Sequence, residues 1–421
     1  MRHSKGFALG FPQSIRRRFL AWLLILHVAW LACPVPALPY AFGYVVGDMR
    51  QAAALSGGTA CPQKTRFDAS QTGAINRRWS TSLGSNPASI LTTDQTPAGQ
   101  LNEIEAAISE TFAIWTGVAE TTLVPSTLAP LMRASAQSAC NSNDGLNTIC
   151  LNQADPGFTT GVLAFTRVTV ADEAGAQVGP GGPASTFTGQ ILDADILFRP
   201  ADPSTSFATP SALAANQQAY DFESVLGHEL GHFFGFEHSN VWSSMMFPFV
   251  PAAGQFRGPR PSPAAPDAPL ADDDRTGLRV LYSDAADTTH VGTISGRILP
   301  ANAISLASQP GATGIFAAQV VAIDNASGAV IAAVNSGWTC SDPGPTIFDG
   351  SYLIEKLPVG PMQSYQIYVE PFTGAEDPSD VANALANVCR NAITDPGWPA
   401  NFACTVPALS TNFMARIRPP G

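Results

Sequence analysis

Apolar residues at helical spacing mark one segment of the chain most clearly. They share one face of a helix predicted over 101–118, and they are Ile104, Ile108, Phe112 and Trp115. A second helix is predicted from Phe222 to about residue 234, because Asp221 can cap its first turn. A third, shorter helix is predicted over 272–282.

Short apolar runs between Gly, Asp and Pro residues predict the strands. In the first half of the chain these strands are 146–151, 162–170 and 191–198. Beyond residue 290 the pattern changes to short strands with regular turns, predicted over 292–298, over 319–323, after the turn at 349–352, and over 365–369. The chain is therefore predicted to be α+β, with one domain over 76–284 and a small all-β sandwich over 285–372. The sandwich holds no candidate catalytic group, so we expect it to be separable.

The first 37 residues have the character of a signal peptide. Three arginines at 16–18 precede an apolar run over 19–31, which is short for a membrane span, and small residues allow cleavage after Ala37. A twin-arginine signal and lipid attachment at Cys33 are the alternatives. The sequence thus predicts a protein that is secreted or held in the cell envelope.

Cysteine usage agrees with export. Without Cys33 six cysteines remain, an even number that in an exported chain suggests up to three disulfides. Cys140 and Cys150 flank a turn-like stretch and form the first predicted pair, while the other pairings stay open. Cys389 and Cys404 are expected to tie an irregular tail, 373–421, to the rest of the chain. Residues 38–75 show no clear pattern.

The charge of the chain limits the classes of partner. Removal of residues 1–37, which hold five basic and no acidic residues, changes the formal net charge from −11 to −16. Such an acidic surface disfavours nucleic acid and anionic membranes as partners. No other segment is apolar enough to cross a membrane, and we expect the mature chain to be a monomer.

The segment from His228 to His238 carries the chemistry, and its sequence is HELGHFFGFEH. His228 and His232 lie four apart on the predicted helix, so both imidazoles can reach one zinc ion. Gly235 allows a sharp turn after the helix, which can bring in His238 as the third ligand. Three protein ligands leave a fourth position for water, and Glu229 can act on that water as the general base.

The other interpretation is that these histidines are ordinary core residues. Beyond residue 37 the chain has four histidines, and three of them fall within these eleven residues. So dense a cluster at ligand spacing favours a catalytic zinc site, and we predict one.

Residues beyond the motif extend the pattern. Ser239 directly follows the third histidine, 244–248 has the sequence SMMFP, and 270–282 has the sequence LADDDRTGLRVLY. Together with the histidines, these segments resemble the metzincin clan of zinc endopeptidases, and within it the bacterial-type matrixins. SMMFP resembles the Met-turn of the clan, with Met246 at the position of its methionine, beneath the metal. In this resemblance Asp273 and Asp274 align with paired aspartates that brace the Met-turn.

The resemblance also has implications for fold and ligands. It implies a zincin-like domain, with a twisted five-stranded mixed sheet, few helices, and an active-site cleft along the edge strand. Asp193 and Asp195 are candidates for calcium, which matrixins bind nearby, and solvated strand ends are the other interpretation. The second, structural zinc site of the family is absent, because no histidine lies between Leu38 and Gly227. Residues 291–371 resemble a transthyretin-like, carboxypeptidase-regulatory β-sandwich.

The predicted function is that of a secreted zinc metalloendopeptidase acting on protein or peptide substrates. The metal ligands would be His228, His232 and His238, and the general base would be Glu229. The alternative is a catalytically inactive surface binding or adhesion protein on the same scaffold. The presence of Glu229 argues against that alternative.

Overall fold

The computed structural model describes the chain in segments. They are the backbone of 21–24 and 44–45, and then residues 63–80, 90–134, 140–171, 173–179, 182–200, 202, 205–216, 218–239, 241–300, 314–315, 318–337 and 349–370. Most of the predicted signal peptide, the tail 373–421 and all cysteines except Cys140 and Cys150 lie outside these residues.

Four helices and sixteen short strands are found in the described part of the chain. The helices are α1 (Pro97–Thr116), α2 (Pro210–Leu213), α3 (Phe222–Phe233) and α4 (Asp272–Leu281). The strands are β1 (Ala21–Leu24), β2 (Tyr44–Val45), β3 (Gln63–Lys64), β4 (Arg78–Ser80), β5 (Ile90–Leu91), β6 (Met132–Arg133), β7 (Thr148–Cys150), β8 (Ala164–Val170), β9 (Ile191–Phe198), β10 (Phe207–Ala208), β11 (Tyr220–Asp221), β12 (Val291–Arg297), β13 (Gln319–Asp324), β14 (Val330–Asn335), β15 (Ser351–Pro358) and β16 (Tyr365–Glu370). No helix among these residues is both long and apolar enough to cross a bilayer.

The largest sheet is mixed, with the strand order β1-β8-β9-β7-β4-β6. Strand β8 is antiparallel to both β1 and β9, whereas the remaining neighbours are parallel. Both faces of β8 and β9 are largely buried, although each strand carries polar side chains among its apolar ones. The mixed sheet and the small number of helices agree with the predicted class of fold.

The sixth strand, β1, falls inside the predicted signal peptide. Its backbone pairs with β8 from Ala21 opposite Val170 to Leu24 opposite Arg167. Cleavage after Ala37 would remove β1. Among the described residues, the sheet would then have the five strands that the resemblance implies, with β8 at its edge.

Helix α1 begins four residues earlier than its apolar pattern predicts. The Thr96 hydroxyl accepts a hydrogen bond from Gly99 N at 3.1 Å, and Pro97 occupies the first helical position. The four apolar residues predicted to share one face are all buried. That face packs on α3, where the Trp115 indole donates to Gly227 O at 2.9 Å.

The hydrophobic core begins before residue 76. Phe67 and Ile75 are buried in it, and the Phe67 ring lies 4.9 Å from that of Phe233 on α3. The Tyr282 hydroxyl accepts from Phe67 N at 3.1 Å and donates to Phe234 O at 2.9 Å. Sequence pattern alone misses this segment because its apolar residues are isolated, with no helical or strand period.

Cys140 and Cys150 form a disulfide with a Cα–Cα distance of 6.0 Å, and the prediction of this pair is confirmed. The bond joins the start of the described segment 140–171 to the end of β7. Both cysteines are buried with Phe165 and Leu197, so the bond closes a small core under the sheet.

The C-terminal strands form two small sheets. One pairs β12 with β15, and the other has the order β14-β13-β16. Strand β14, which the sequence analysis did not predict, packs with β15 on α4. Buried residues of β13, β14 and β15 belong to the same hydrophobic core as α3 and α4. These contacts do not favour the expectation that the segment is separable, and its assignment as a β-sandwich stays a prediction.

Candidate metal centre

The three predicted histidine ligands lie together in the core. Helix α3 is buried along its whole length, and Asp221 caps it by accepting from Ser224 N at 2.7 Å. The imidazole centroids of His228 and His232 are 5.0 Å apart. The centroid of His238 lies 5.3 Å from that of His228 and 5.2 Å from that of His232. Their candidate ligand atoms all lie within 4.8 Å of one another, a separation that one metal ion can bridge.

The turn after α3 brings His238 to the other two histidines. Gly235 has φ 105°, a conformation that side-chain-bearing residues rarely adopt. A Cβ at this position would lie 2.1 Å from the backbone oxygen of Thr65. Phe236 N donates to Gly231 O at 2.9 Å and closes the turn. Two features therefore require glycine at position 235. They are its positive φ and the close approach of the backbone at Thr65.

Two of the imidazoles are oriented by backbone carbonyls. Nδ1 of His228 lies 2.8 Å from Met245 O, and Nδ1 of His232 lies 2.7 Å from Phe236 O. Because a carbonyl only accepts, each Nδ1 carries the proton and each Nε2 keeps its lone pair for a metal.

The protonation of the three histidines also suits metal binding. Burial lowers the pKa of His228 and His232 well below the usual value, and it lowers the pKa of His238 to about 3. All three imidazoles are therefore neutral near pH 7. Neutral imidazole is the form that coordinates zinc, so the donor set fits this ion.

The predicted Met-turn packs against helix α3, which carries two of the histidines. Met246 is buried against Gly231, where an added Cβ would come within 2.0 Å of the methionine sulfur. Asp274 accepts from Met245 N at 2.7 Å and from Ala271 N at 2.8 Å, which fixes the turn on the start of α4. Its neighbour Asp273 accepts from the Ser239 hydroxyl at 2.7 Å.

Glu229 is held by a residue that the sequence analysis did not single out. The Thr166 hydroxyl on β8 lies 2.7 Å from Glu229 Oε2 and 3.1 Å from Glu229 O. Burial raises the pKa of the Glu229 carboxyl to about 8, and the hydrogen bond from Thr166 opposes this shift. A nearby cation would also favour the ionised form. No local signal marks Thr166, because its contact joins residues 63 positions apart.

The candidate calcium residues contact the backbone of a neighbouring loop. Asp193 accepts from Gly145 N and Asp195 from Thr148 N, both at 2.9 Å. Burial raises the pKa of Asp193 to about 6 and that of Asp195 well above its usual value. Calcium binding at this pair stays a prediction.

A second group with metal-ligand side chains is more exposed. It consists of Glu120, Asp287 and His290, and the His290 side chain is 69% exposed. The Arg279 guanidinium lies 3.2 Å from Glu120 and already balances its charge. Among the described residues, the buried histidine cluster is therefore the better metal centre.

The fold and the centre together define a class of protein. Two neutral imidazoles and a buried carboxylate lie on a helix packed against a mixed sheet, and the turn after the helix adds a third imidazole. These are the side chains that a catalytic zinc site requires. Residues 164–283 match the family model of the matrixins, which are zinc metallopeptidases. The match runs from β8 to just beyond α4 and includes the three histidines, Glu229, Asp273 and Asp274. This part of the chain is therefore similar to the catalytic domain of matrixins. No curated protein matches the chain.

Proposed function

We propose that the chain is a secreted zinc-dependent endopeptidase. His228, His232 and His238 bind the metal, and Glu229 is the general base. The observation that carries the proposal is the position of Glu229. Its carboxylate is 2% exposed, follows a ligand histidine directly and is fixed by the Thr166 hydroxyl. A buried carboxylate costs stability unless a cation offsets its charge, and groups kept at such a cost often have a function.

Each residue of the site has its own role in the proposed hydrolysis. When bound, zinc supplies a Lewis acid that polarises the scissile carbonyl and lowers the pKa of water. Glu229 takes the proton of the attacking water and then donates it to the leaving amine. Thr166 keeps Glu229 Oε2 in one orientation, so the other carboxylate oxygen is free to accept the proton. His228 and His232 carry their single proton on Nδ1, so Nε2 of each keeps its lone pair for the metal.

The substrate class follows from the sheet edge. After cleavage at Ala37, β8 would expose unpaired backbone groups beside Glu229, and an extended peptide could add to them as a further strand. The acidic chain would favour neutral or basic segments over acidic ones. We propose that the protein acts as a monomer outside the cytoplasm, and that calcium at Asp193 and Asp195 would support the fold rather than the chemistry.

Digestion of a peptide library by the purified chain tests the function. We expect cleavage at internal peptide bonds that stops when zinc is removed by a chelator and returns when zinc is added back, because the imidazoles bind reversibly. Cleavage that continues in the metal-free protein would contradict the proposal. Peptide binding without cleavage by the zinc-loaded protein would favour the inactive binding protein.

A further inference from the structure

Helix α4 joins the metal centre to the C-terminal strands through buried hydrogen bonds. Ala333 N, on β14, donates to Asp273 Oδ1 at 2.8 Å, and the Thr276 hydroxyl donates to Ile331 O at 3.1 Å. Ala333 and Ile331 are two residues apart, and β14 is an edge strand of the described three-stranded sheet. Asp273 and Thr276 of α4 thus form hydrogen bonds with the backbone of β14 that a neighbouring strand would otherwise form. Both side chains are fully buried.

The same aspartate contacts the residue that follows the third ligand. Asp273 Oδ2 accepts from the Ser239 hydroxyl at 2.7 Å, and Ser239 is bonded covalently to His238. Ser239 N in turn donates to Met246 O at 2.8 Å. One carboxylate therefore bridges β14 and the backbone that carries His238.

A second contact reaches the metal centre from the same sheet. Val241 lies in the loop that leads from His238 to Met246, and it packs in a small buried cluster with Val321 of β13 and Ala333 of β14. The loop between the third ligand and the Met-turn is thus covered on one side by the C-terminal strands. Sequence analysis could not show this contact, because about 80 residues separate Val241 from Val321.

We propose that strands β13 and β14 position the metal centre, acting through Asp273 and Val241 on the loop that carries His238. This inference rests on the proposed function, and it replaces the expectation that the C-terminal segment is a separable module. Partners of metal ligands orient them, and loss of one such partner weakens metal affinity about 10- to 100-fold. Asp273 and Val321 are accordingly positioning residues rather than catalytic ones.

Two neighbouring valines on β13 provide a matched pair of variants in the full chain. Val321→Ala removes the contact with Val241, whereas Val320→Ala removes the same atoms from the opposite face of the strand, in the main core. Both variants should lower the midpoint of thermal unfolding. Only Val321→Ala should release zinc to a chelator faster, by about 10-fold, and alter the visible spectrum of the cobalt-substituted protein. Its kcat should fall with KM nearly unchanged.

Asp273 gives an independent comparison. Asp273→Ala removes the bonds to both Ser239 and Ala333, and zinc release should accelerate. Asp273→Asn should restore slow release, because its amide can accept from Ala333 N and donate to the Ser239 oxygen. Equal zinc release and equal cobalt spectra for Val321→Ala, Val320→Ala and the unsubstituted chain would overturn the inference. Zinc release and the cobalt spectrum need no turnover, so an inactive but zinc-loaded parent chain would refute only the proposed function.

Discussion

Glu229→Gln is expected to lower turnover by about 10²–10⁴, the usual contribution of a positioned general base. Glutamine keeps the shape of the side chain, and its amide oxygen can still accept from the Thr166 hydroxyl. It cannot take a proton from water, however. Because three imidazoles already supply the protein ligands, zinc content should not change. Steady-state kinetics and metal analysis of the same preparation measure both quantities.

His238→Ala is the matched control for that variant. It removes a ligand and keeps the base, so zinc and activity should fall together. If Glu229→Gln lost zinc as His238→Ala does, Glu229 would be a ligand. Near-normal turnover of Glu229→Gln would show that Glu229 is not the general base.

Gly235→Ala should destabilise the fold and release the metal. The positive φ alone costs about 1–3 kcal/mol for a residue with a side chain. The new Cβ would also lie 2.1 Å from Thr65 O, a backbone atom that cannot move without shifting the segment that carries Phe67. Since this turn delivers His238, zinc content should fall with the free energy of unfolding. Denaturant unfolding and metal analysis measure the two effects.

Gly175→Ala separates strain from steric overlap. Gly175 has φ 90° but no atom within 4 Å of an added Cβ, and it is exposed. Its substitution should therefore cost only the backbone strain, with full zinc content. Equal losses of stability in the two variants, with zinc kept in both, would show that the approach of Thr65 to Gly235 is unimportant.

The sequence predicts the local parts of this protein well. The spacing of His228, His232 and Gly235 anticipates the helix and its turn, because a helical period and a positive φ are properties of a few adjacent residues. Asp221 likewise predicts the start of α3, and the apolar run over 191–198 predicts β9 to the residue. The pairing of Cys140 with Cys150 follows from their closeness along the chain.

The parts that the sequence does not predict are long-range contacts. No sequence pattern in β8 marks Thr166 as a functional residue. Only the packing of α3 on β8 brings its hydroxyl to Glu229. The role of Asp273 is partly visible from the matrixin resemblance, but its bond to Ala333 depends on a strand that alanines make hard to recognise. The burial of Phe67 in the core could not be predicted either, because an isolated aromatic residue is not part of a helical or strand pattern.

The ligand set of the bound metal tests the central claim most directly. X-ray absorption at the zinc edge of the purified full chain should show one zinc with three imidazole ligands at about 2.0–2.1 Å and no sulfur. His238→Ala should reduce the imidazole count in whatever zinc remains. A spectrum with sulfur ligands, or a full chain that binds no zinc at all, would contradict the account.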